Sequence, residues 1–516
     1  MTQDSELSPR LAESWEYDDM NHIHTFCLEE GVKWHDGEAF TAEDVKFSWE
    51  TSMALSTGAS APVKPFINQI AIVDDHTIDF EMTADFPNLP GYMCTVVIAP
   101  QHLWGGFTLE EIDENTGLVD PVPVGTGPFK YREHAQNYWL LEKNPDYWGG
   151  APKIDEYMTK LYADDGAEVL ALLAGEVDAT SLINLSDVPF LMQQDNIGVD
   201  VFNDFNAYTL YLNQRFAPMN LKEFREAISL AIDRQSIIDY SYVGFAQITM
   251  VPFVGDEYLN PDIIWPGEAM TQAEREEAAN AILDDIIGMS DKPADPPADW
   301  VRIYDPPGDD PPFELDFEIF IGNDVPYVRG AEIFKGNLGN LGIKLSSISP
   351  MATWTLSGML RNPAEWESWQ WAYYGHPRIS YADQFLNEFG NPDFDPNNQA
   401  VYVGWGGYNW VDDGAGSYEH GAEMKDTDAK DLQDRMWEVK MELDPEAFIE
   451  GMHDAQAEFV DQMASVTLFK TMGAVGYRTD TFTNWDLAPY TNDARGGSPP
   501  PATHRNLLSI EAIIVE

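Results

Sequence analysis

Between positions 354 and 410 the sequence concentrates flat aromatic side chains: Trp354, Trp366, Trp369, Trp371, Tyr373, Tyr374, Trp405, Tyr408 and Trp410. Each offers an apolar ring face and one hydrogen-bonding edge, the combination that lines small-ligand pockets. Core packing uses the same residues, so both roles stay open on spacing alone. His376 and Arg378 follow the run directly. The guanidinium is suited to gripping an anionic group bidentately, and an ordinary ion pair would use it equally well.

Signatures of catalysis fail one by one. Gly125-Thr126-Gly127 has the look of a phosphate loop, but Pro128 and a strand-like run follow where a helix N-terminus would have to supply N–H donors, so it reads as a turn. Neither a G-x-S-x-G elbow nor an H-E-x-x-H helix occurs. His22 and His24, two apart, would share one strand face within reach of a common metal, yet no third ligand stands at a metal-site spacing. The 88 acidic residues supply countless carboxylate pairs, and sequence does not give the separation on which glycoside hydrolysis depends. No catalytic residue, metal site or cofactor is assigned.

The elements that must position these residues alternate between strands and helices, which means α/β architecture in several domains. Alternation over His24–Val32 marks a strand, Asp36-Gly37 a turn, and Thr41 with Asp44 a capping box that opens a helix through Trp49. Ile70, Ile72, Ile78, Phe80 and Met82 alternate around Asp74-Asp75 as a hairpin, and a strand is expected near 137–143. One helix is expected over 221–239, with Leu221, Phe224, Ile228, Ala231, Ile232 and Ile238 on one face. Further helices are expected at 271–287, 326–340, 428–443 and 446–463. Residues 290–313, rich in Pro and Asp, read as an acidic surface loop, and 386–423 as a second loop-rich stretch.

Composition narrows the function classes. The chain has 516 residues, with 29 basic against 88 acidic side chains and a net charge of −59. Phosphate binding needs concentrated Lys and Arg, so nucleic acid is excluded as a partner. With 44% hydrophobic and 12% aromatic residues the chain is folded rather than a solvated acidic coil. A net negative charge for about every nine residues self-repels at low ionic strength, and reads as adaptation to high salt. Cys27 and Cys94 cannot make a disulfide scaffold and read as two separate thiols. No apolar run approaches the length of a membrane span, and MTQDSELSPR lacks the features of a signal peptide.

Four segments, in order, carry a resemblance. LAESWEYDDMNHIHTFCLEEGVKWHDGEAFTAEDVKFSWE at 11–50, VGTGPFKYREHAQNYWLLEKNPDYWGGAPKIDE at 124–156, YLNQRFAPMNLKEFREAISLAIDRQSIIDYSYVGFA at 211–246, and the helix ending in Leu341-Gly342-Ile343 resemble extracellular solute-binding proteins of the dipeptide and oligopeptide family (family 5), which feed ABC importers. The resemblance implies a two-lobed periplasmic-binding-protein fold (type II, large oligopeptide-binding subclass), with an extra subdomain on the first lobe and a hinge the chain crosses twice. Mapped here, the subdomain is about 1–123, the first lobe 124–247 with 476–516, and the second lobe 248–475. It implies no chemistry, but capture of a small solute, a short peptide or an oligosaccharide, and delivery to ABC permease subunits by a monomer outside the cell membrane. Members carry a signal segment, often a lipid anchor, and several tens of residues before the stretch that begins here at Leu11, so a piece of a longer protein is expected.

One departure bears on specificity. Peptide-binding members set an Asp of a second-lobe loop against the peptide ammonium. The matching stretch QWAYYGHPRISYADQF has no carboxylate before Asp383, and a neutral His376 does not replace a charge-assisted bond. Family members that bind oligosaccharides stack sugar rings on Trp. The ligand-binding set expected on this basis is Trp369, Trp371, Tyr373, Tyr374 and His376 in a specificity loop, then Trp405 and Tyr408, then Arg378 and Asn213. The rival from another class is an extracellular glycoside hydrolase, for which no catalytic pair can be named. The charge excess makes its own prediction: the melting temperature rises as KCl is raised from about 0.1 M to about 3 M, because exposed carboxylates are screened. A melting temperature independent of salt, measured by circular dichroism, would refute salt adaptation.

Overall fold

The computed structural model describes residues 7, 9–55, 60, 63–93, 96–114, 123–214, 216–252, 258–308, 310–361, 368–375, 410–412, 418–420, 427–483 and 511–512. The chain divides into two compact units, Met1–Asn203 with Ile379–Tyr381 and Gly473–Glu516, and Asp204–Arg378 with Ala382–Met472.

In the first unit, strands β1 (Ala12–Asp18), β2 (Ile23–Leu28), β3 (Ile67–Asp74) and β4 (Thr77–Met82) form an antiparallel sheet in the order β1-β2-β4-β3. Burial alternates along β2 and β4, the period-two signature of a sheet with one buried face. Helix α1 (Ala42–Ala54) covers that face: Trp49 meets Phe80 edge-on at 5.4 Å, and Phe80 meets Phe26 at 5.7 Å. The buried Asp44 carboxylate accepts from Thr41 N–H (3.0 Å), Trp34 Nε1 (3.2 Å) and Gln101 N–H (2.8 Å), so the expected capping residue also ties two loops to the helix. A second antiparallel sheet follows the turn at 125–128: β5 (Phe129–Ala135), β6 (Tyr138–Lys143) and β7 (Glu156–Lys160). Helix α2 (Asp165–Ala174) begins at Asp164, whose carboxylate accepts from Ala167 N–H at 2.8 Å. Cys27 is a free, half-buried thiol on β2, and Cys94 lies outside the described residues.

The second unit is built on a six-stranded mixed sheet. Its strands are β8 (Ile197–Leu212), β9 (Ala246–Ile248), β12 (Asp316–Gly322), β13 (Lys344–Met351), β14 (Trp371–Gly375) and β15 (Val466–Arg478), in the order β13-β12-β14-β8-β15-β9. Between them lies the short antiparallel pair β10 (Ile303–Tyr304) and β11 (Phe313–Glu314). Strands β13 and β14 run parallel to β12 on either side of it, and β8 runs antiparallel to β14. The helices are α3 (Lys222–Ala231), α4 (Arg234–Tyr242), α5 (Gln272–Asp285), α6 (Val325–Gly339), α7 (Thr353–Arg361), α8 (Thr427–Lys440) and α9 (Pro445–Asp461). Strands β8 and β15 each run on across the boundary into the first unit.

One expectation changes here. The helix expected over 221–239 is two helices, broken at Ile232 and Asp233, because the Asp233 side chain caps α4 by accepting from Ser236 N–H at 3.2 Å. By packing, residues 204–247 fall within the second unit. The reason is that α3 packs on α5 and α4 on α6, with Asp233 N–H donating to Asn337 Oδ1 at 3.0 Å and Gln272 Nε2 to Ala231 O at 2.8 Å. The acidic stretch 290–313 is exposed coil over most of 291–299, as expected, and is closed at its end by the β10 to β11 pairing and by Arg302.

Arg302 is fully buried and donates to Asp284 Oδ1 (2.6 Å), Asn280 Oδ1 (2.9 Å), Leu341 O (2.8 Å) and the Ser290 carbonyl. Replacing it takes the donor from the Ser290 and Leu341 carbonyls and from Asn280 Oδ1, and leaves Asp284 Oδ1 with the Lys292 N–H alone. Arg302→Met is therefore expected to lose about 3–5 kcal/mol in urea denaturation. Lys344→Met, which removes an exposed ion pair to Asp316, should lose no more than about 1 kcal/mol.

Candidate ligand-binding site

In open α/β sheets ligands settle outside the carboxyl ends of parallel strands. In the second unit that edge is where β12 and its parallel neighbour β14 end, at Gly322 and Gly375. Helix α6 starts there, with Asp324 at its N-cap position and Pro326 in the first turn, which places Tyr327 beside both strand ends. A Cβ on Gly322 would stand 2.6 Å from the Tyr327 ring, and a Cβ on Gly375 would stand 2.7 Å from the Tyr208 ring and 2.8 Å from Tyr327 Oη. Two terminal glycines thus make room for one tyrosine. Gly375 N–H donates to Tyr327 Oη at 2.9 Å, and that hydroxyl lies 3.4 Å from Gly375 O.

Tyr327 belongs to a buried group of phenols. Tyr208 lies 5.2 Å from Tyr242, 5.3 Å from Tyr327 and 5.9 Å from Tyr373, ring centre to ring centre, and stacks on Phe469 at 5.3 Å. Burial pushes the hydroxyls of Tyr242, Tyr327 and Tyr373 well above the ordinary tyrosine value. Burial thus favours the neutral phenols, and the Tyr327 hydroxyl serves as an uncharged hydrogen-bonding group.

The residues singled out in the sequence fall into two sets. Trp371 and Tyr373 point to one face of β14: Trp371 stacks on Phe317 at 5.1 Å and meets Phe224 edge-on, while Tyr373 meets Phe334 at 4.7 Å. Ala372 and Tyr374 pack on the other face with Trp369, Tyr211, Leu356 and Leu360. All four expected ligand aromatics of this run are buried in the sheet. The stretch expected as a loop is a central strand with helices on both sides, which is why its sequence is apolar without alternation. Asn213 is also buried; its Nδ2 donates to Trp369 O at 2.9 Å and its N–H to Gln370 O at 2.9 Å, so it fixes the start of β14. His376, Arg378, Trp405 and Tyr408 lie outside the described residues.

His22 and His24 both meet Tyr17, which stacks on His24 at 4.2 Å and has its hydroxyl 3.4 Å from His22 Nδ1. His22 sits ahead of β2 with φ +54° and its Nδ1 is 2.9 Å from Asp85, whereas His24 is buried with Nε2 2.8 Å from Phe86 O. Burial holds His24 down to about 4, so it is neutral in the folded chain. Sequence reading missed Tyr208, Tyr242 and Tyr327. The signal lay in the glycines that end two apolar runs, Gly322 and Gly375, since a glycine there announces a bulky neighbour.

The sequence pattern of the bacterial extracellular solute-binding proteins, family 5 (middle region), matches residues 6–411. The chain belongs to this family. Among curated relatives of this family 5 protein, the oligopeptide-binding protein AppA of Bacillus subtilis is 26% identical over 247 residues, 47% of this chain and 45% of AppA. The dipeptide-binding protein of Escherichia coli is 27% identical over 268 residues, 46% of this chain and 48% of the relative. The aligned region is thus about half the length of the curated relatives the chain matches. Solved structures show the same fold. AppA from Bacillus subtilis in complex with a nonapeptide has a TM-score of 0.71 at 19% identity, covering 98% of this chain and 90% of that one. NikZ from Campylobacter jejuni in complex with Ni(L-His) has a TM-score of 0.72 at 17% identity, covering 97% and 90%.

Two substitutions test the strand-end arrangement of this family 5 protein. Gly375→Ala forces a methyl against the Tyr208 ring and the Tyr327 hydroxyl and should lose about 1–3 kcal/mol. Tyr327→Phe removes the acceptor of the Gly375 N–H and should lose about 1–3 kcal/mol. Because the two share one contact, the double variant should lose less than the sum in denaturant melts. Strict additivity would show that the contact carries no energy.

Proposed function

We propose that this chain is the substrate-binding component of an ABC importer, working outside the cell membrane and passing a short peptide-like solute to permease subunits. The observation that carries this is the match of the family 5 pattern over residues 6–411, with peptide-binding relatives aligned to about half their length. No catalytic step belongs to this reading. No helix among the described residues is long and apolar enough to cross a membrane.

The ligand site is proposed at the carboxyl edge of β12 and β14. Trp369, Trp371, Tyr373, Tyr374 and Asn213 supply its packed wall, and His376, Arg378, Trp405 and Tyr408 are the candidates for direct contact. Oligosaccharide is the second reading. It rested on a stacking platform of exposed aromatics, and four of those rings are engaged in the sheet. What remains of it is Trp405 and Tyr408.

A ligand that binds only the folded chain stabilises it by mass action, by roughly 2.7 kcal/mol at 100 times its dissociation constant. A thermal-shift screen in molar salt, with defined di-, tri- and pentapeptides against malto- and cello-oligosaccharides, is expected to raise the melting temperature with peptides. Shifts with sugars alone would replace the peptide reading by the oligosaccharide one. Release of reducing ends from any sugar would bring back the hydrolase.

A further inference from the structure

Away from the candidate site, the first unit contains a histidine with both ring nitrogens committed. Gly125 N–H donates to His35 Nδ1 at 3.1 Å, and His35 Nε2 lies 3.0 Å from Gly127 O. A backbone N–H can only donate, so Nδ1 must be bare; a carbonyl can only accept, so Nε2 must carry the proton. The two neighbours together dictate the neutral Nε2–H tautomer. The His35 N–H also donates to Gly125 O at 2.9 Å, and Lys130 Nζ donates to His35 O at 3.3 Å.

These bonds join two pieces built on different sheets. The loop carrying His35 is closed by the Lys33 to Ala39 bridge and by Trp34 N–H on Glu38 O (2.8 Å), and Trp34 Nε1 binds Asp44 of α1. The turn at 125–128 opens the three-stranded sheet: Asn144 N–H donates to Pro128 O at 2.8 Å, and Asn144 Nδ2 to Gly127 O at 3.2 Å. Both are segments in which the chain resembles its family, HDG at 35–37 and GTGPF at 125–129.

We propose that His35 is an acid-released clasp. A proton on Nδ1 removes the acceptor of the Gly125 N–H and sets two N–H groups against each other, which frees the 125–128 turn, and with it the start of β5, from the His35 loop.

The charged groups around the ring fix the pH at which this happens. Lys130 faces it from β5 and Asp36 from its own loop, and His102 of the 101–104 helix holds Asp36 Oδ2 at 2.8 Å. Burial, with Lys130 assisting and Asp36 opposing, lowers His35 below the ordinary histidine value of 6.5. A released state therefore takes up the proton more readily than the clasped one. The clasp is complete above about pH 6.5 and is lost as the pH falls below it. His24 is also buried and neutral, so acid weakens the unit as a whole, and the decisive readout must be local to the clasp.

Amide hydrogen exchange of the full chain in molar salt, corrected for intrinsic rates, supplies that readout. In the wild type the amides of Val124, Gly125, Thr126, Gly127 and Phe129 should exchange at least about tenfold faster at pH 5.5 than at pH 7.5, while those of β6 hold. His35→Gln, which keeps an acceptor and a donor that do not titrate, should give a flat profile. A flat wild-type profile, or equal acceleration in the variant, overturns the proposal. Should the variant not fold, the wild-type ring decides: its nitrogen chemical shifts must report a bare Nδ1 at pH 7.5 and protonation in step with the exchange. A proton on Nδ1 at pH 7.5, or titration out of step, also overturns it.

Discussion

A strand covered on both faces has no solvent side for a polar residue, and β14 is such a strand. Its neighbours β12 and β8 satisfy its backbone, while helices close over Trp371 and Tyr373 on one face and Ala372 and Tyr374 on the other. The rest of the second unit follows from that constraint. Helix α6 must lie close enough to receive Tyr373 against Phe334, and its first turn then brings Tyr327 to the strand ends. Asn213 must hold the entry of the strand, because a buried carbonyl at Trp369 needs a donor. What leaves the strand after Gly375 starts from a fixed point.

The cationic side chains show how the charge imbalance is divided between interior and surface. Arg225, Arg234, Arg275 and Arg302 are all buried in the second unit. Arg225 donates to the carbonyls of Met219, Gln462 and Met463, closing the end of α9. Arg234 donates to Ser229 and Thr467 and lies over the ring of Trp265 at 4.3 Å, with Arg275 over the same ring at 5.0 Å. Burial and the nearby Arg275 draw Arg234 down to about 9. Guanidinium groups that spend most of their donors on backbone oxygens are withdrawn from pairing with surface carboxylates. An acidic exterior is therefore compatible with a cation-containing core.

Local chemistry was legible in the sequence wherever one residue type decides the backbone. The Thr41 and Asp44 capping box, the Asp74-Asp75 turn and the starts of the helices expected at 271 and 446 are such cases, the two starts falling within a residue. The ordered segments also identified the family. Legibility failed where tertiary packing decides. An aromatic run reads alike as ligand platform or doubly buried strand, since periodicity vanishes when both faces are covered. Asp233 sits in an apolar helical period and still ends a helix, because its carboxylate caps the next one. The site was hidden for a related reason: Tyr208, Tyr242, Tyr327 and Tyr373 are far apart in the chain and meet only through sheet order.

The fit of Tyr327 between Gly322 and Gly375 also constrains how such a sequence can drift. While the tyrosine stands, neither glycine has a neighbouring allele with a side chain, since even a methyl meets a ring or a hydroxyl. If the tyrosine shrinks first, the Gly375 N–H loses its acceptor and a hole opens beside two strand ends. Each single step is unfavourable, although a joint replacement of all three is not barred by sterics. Lineages carrying this trio should therefore keep it or exchange it as a block, and recombination points placed between 322 and 375 should yield fewer folded chimeras than points placed outside that interval.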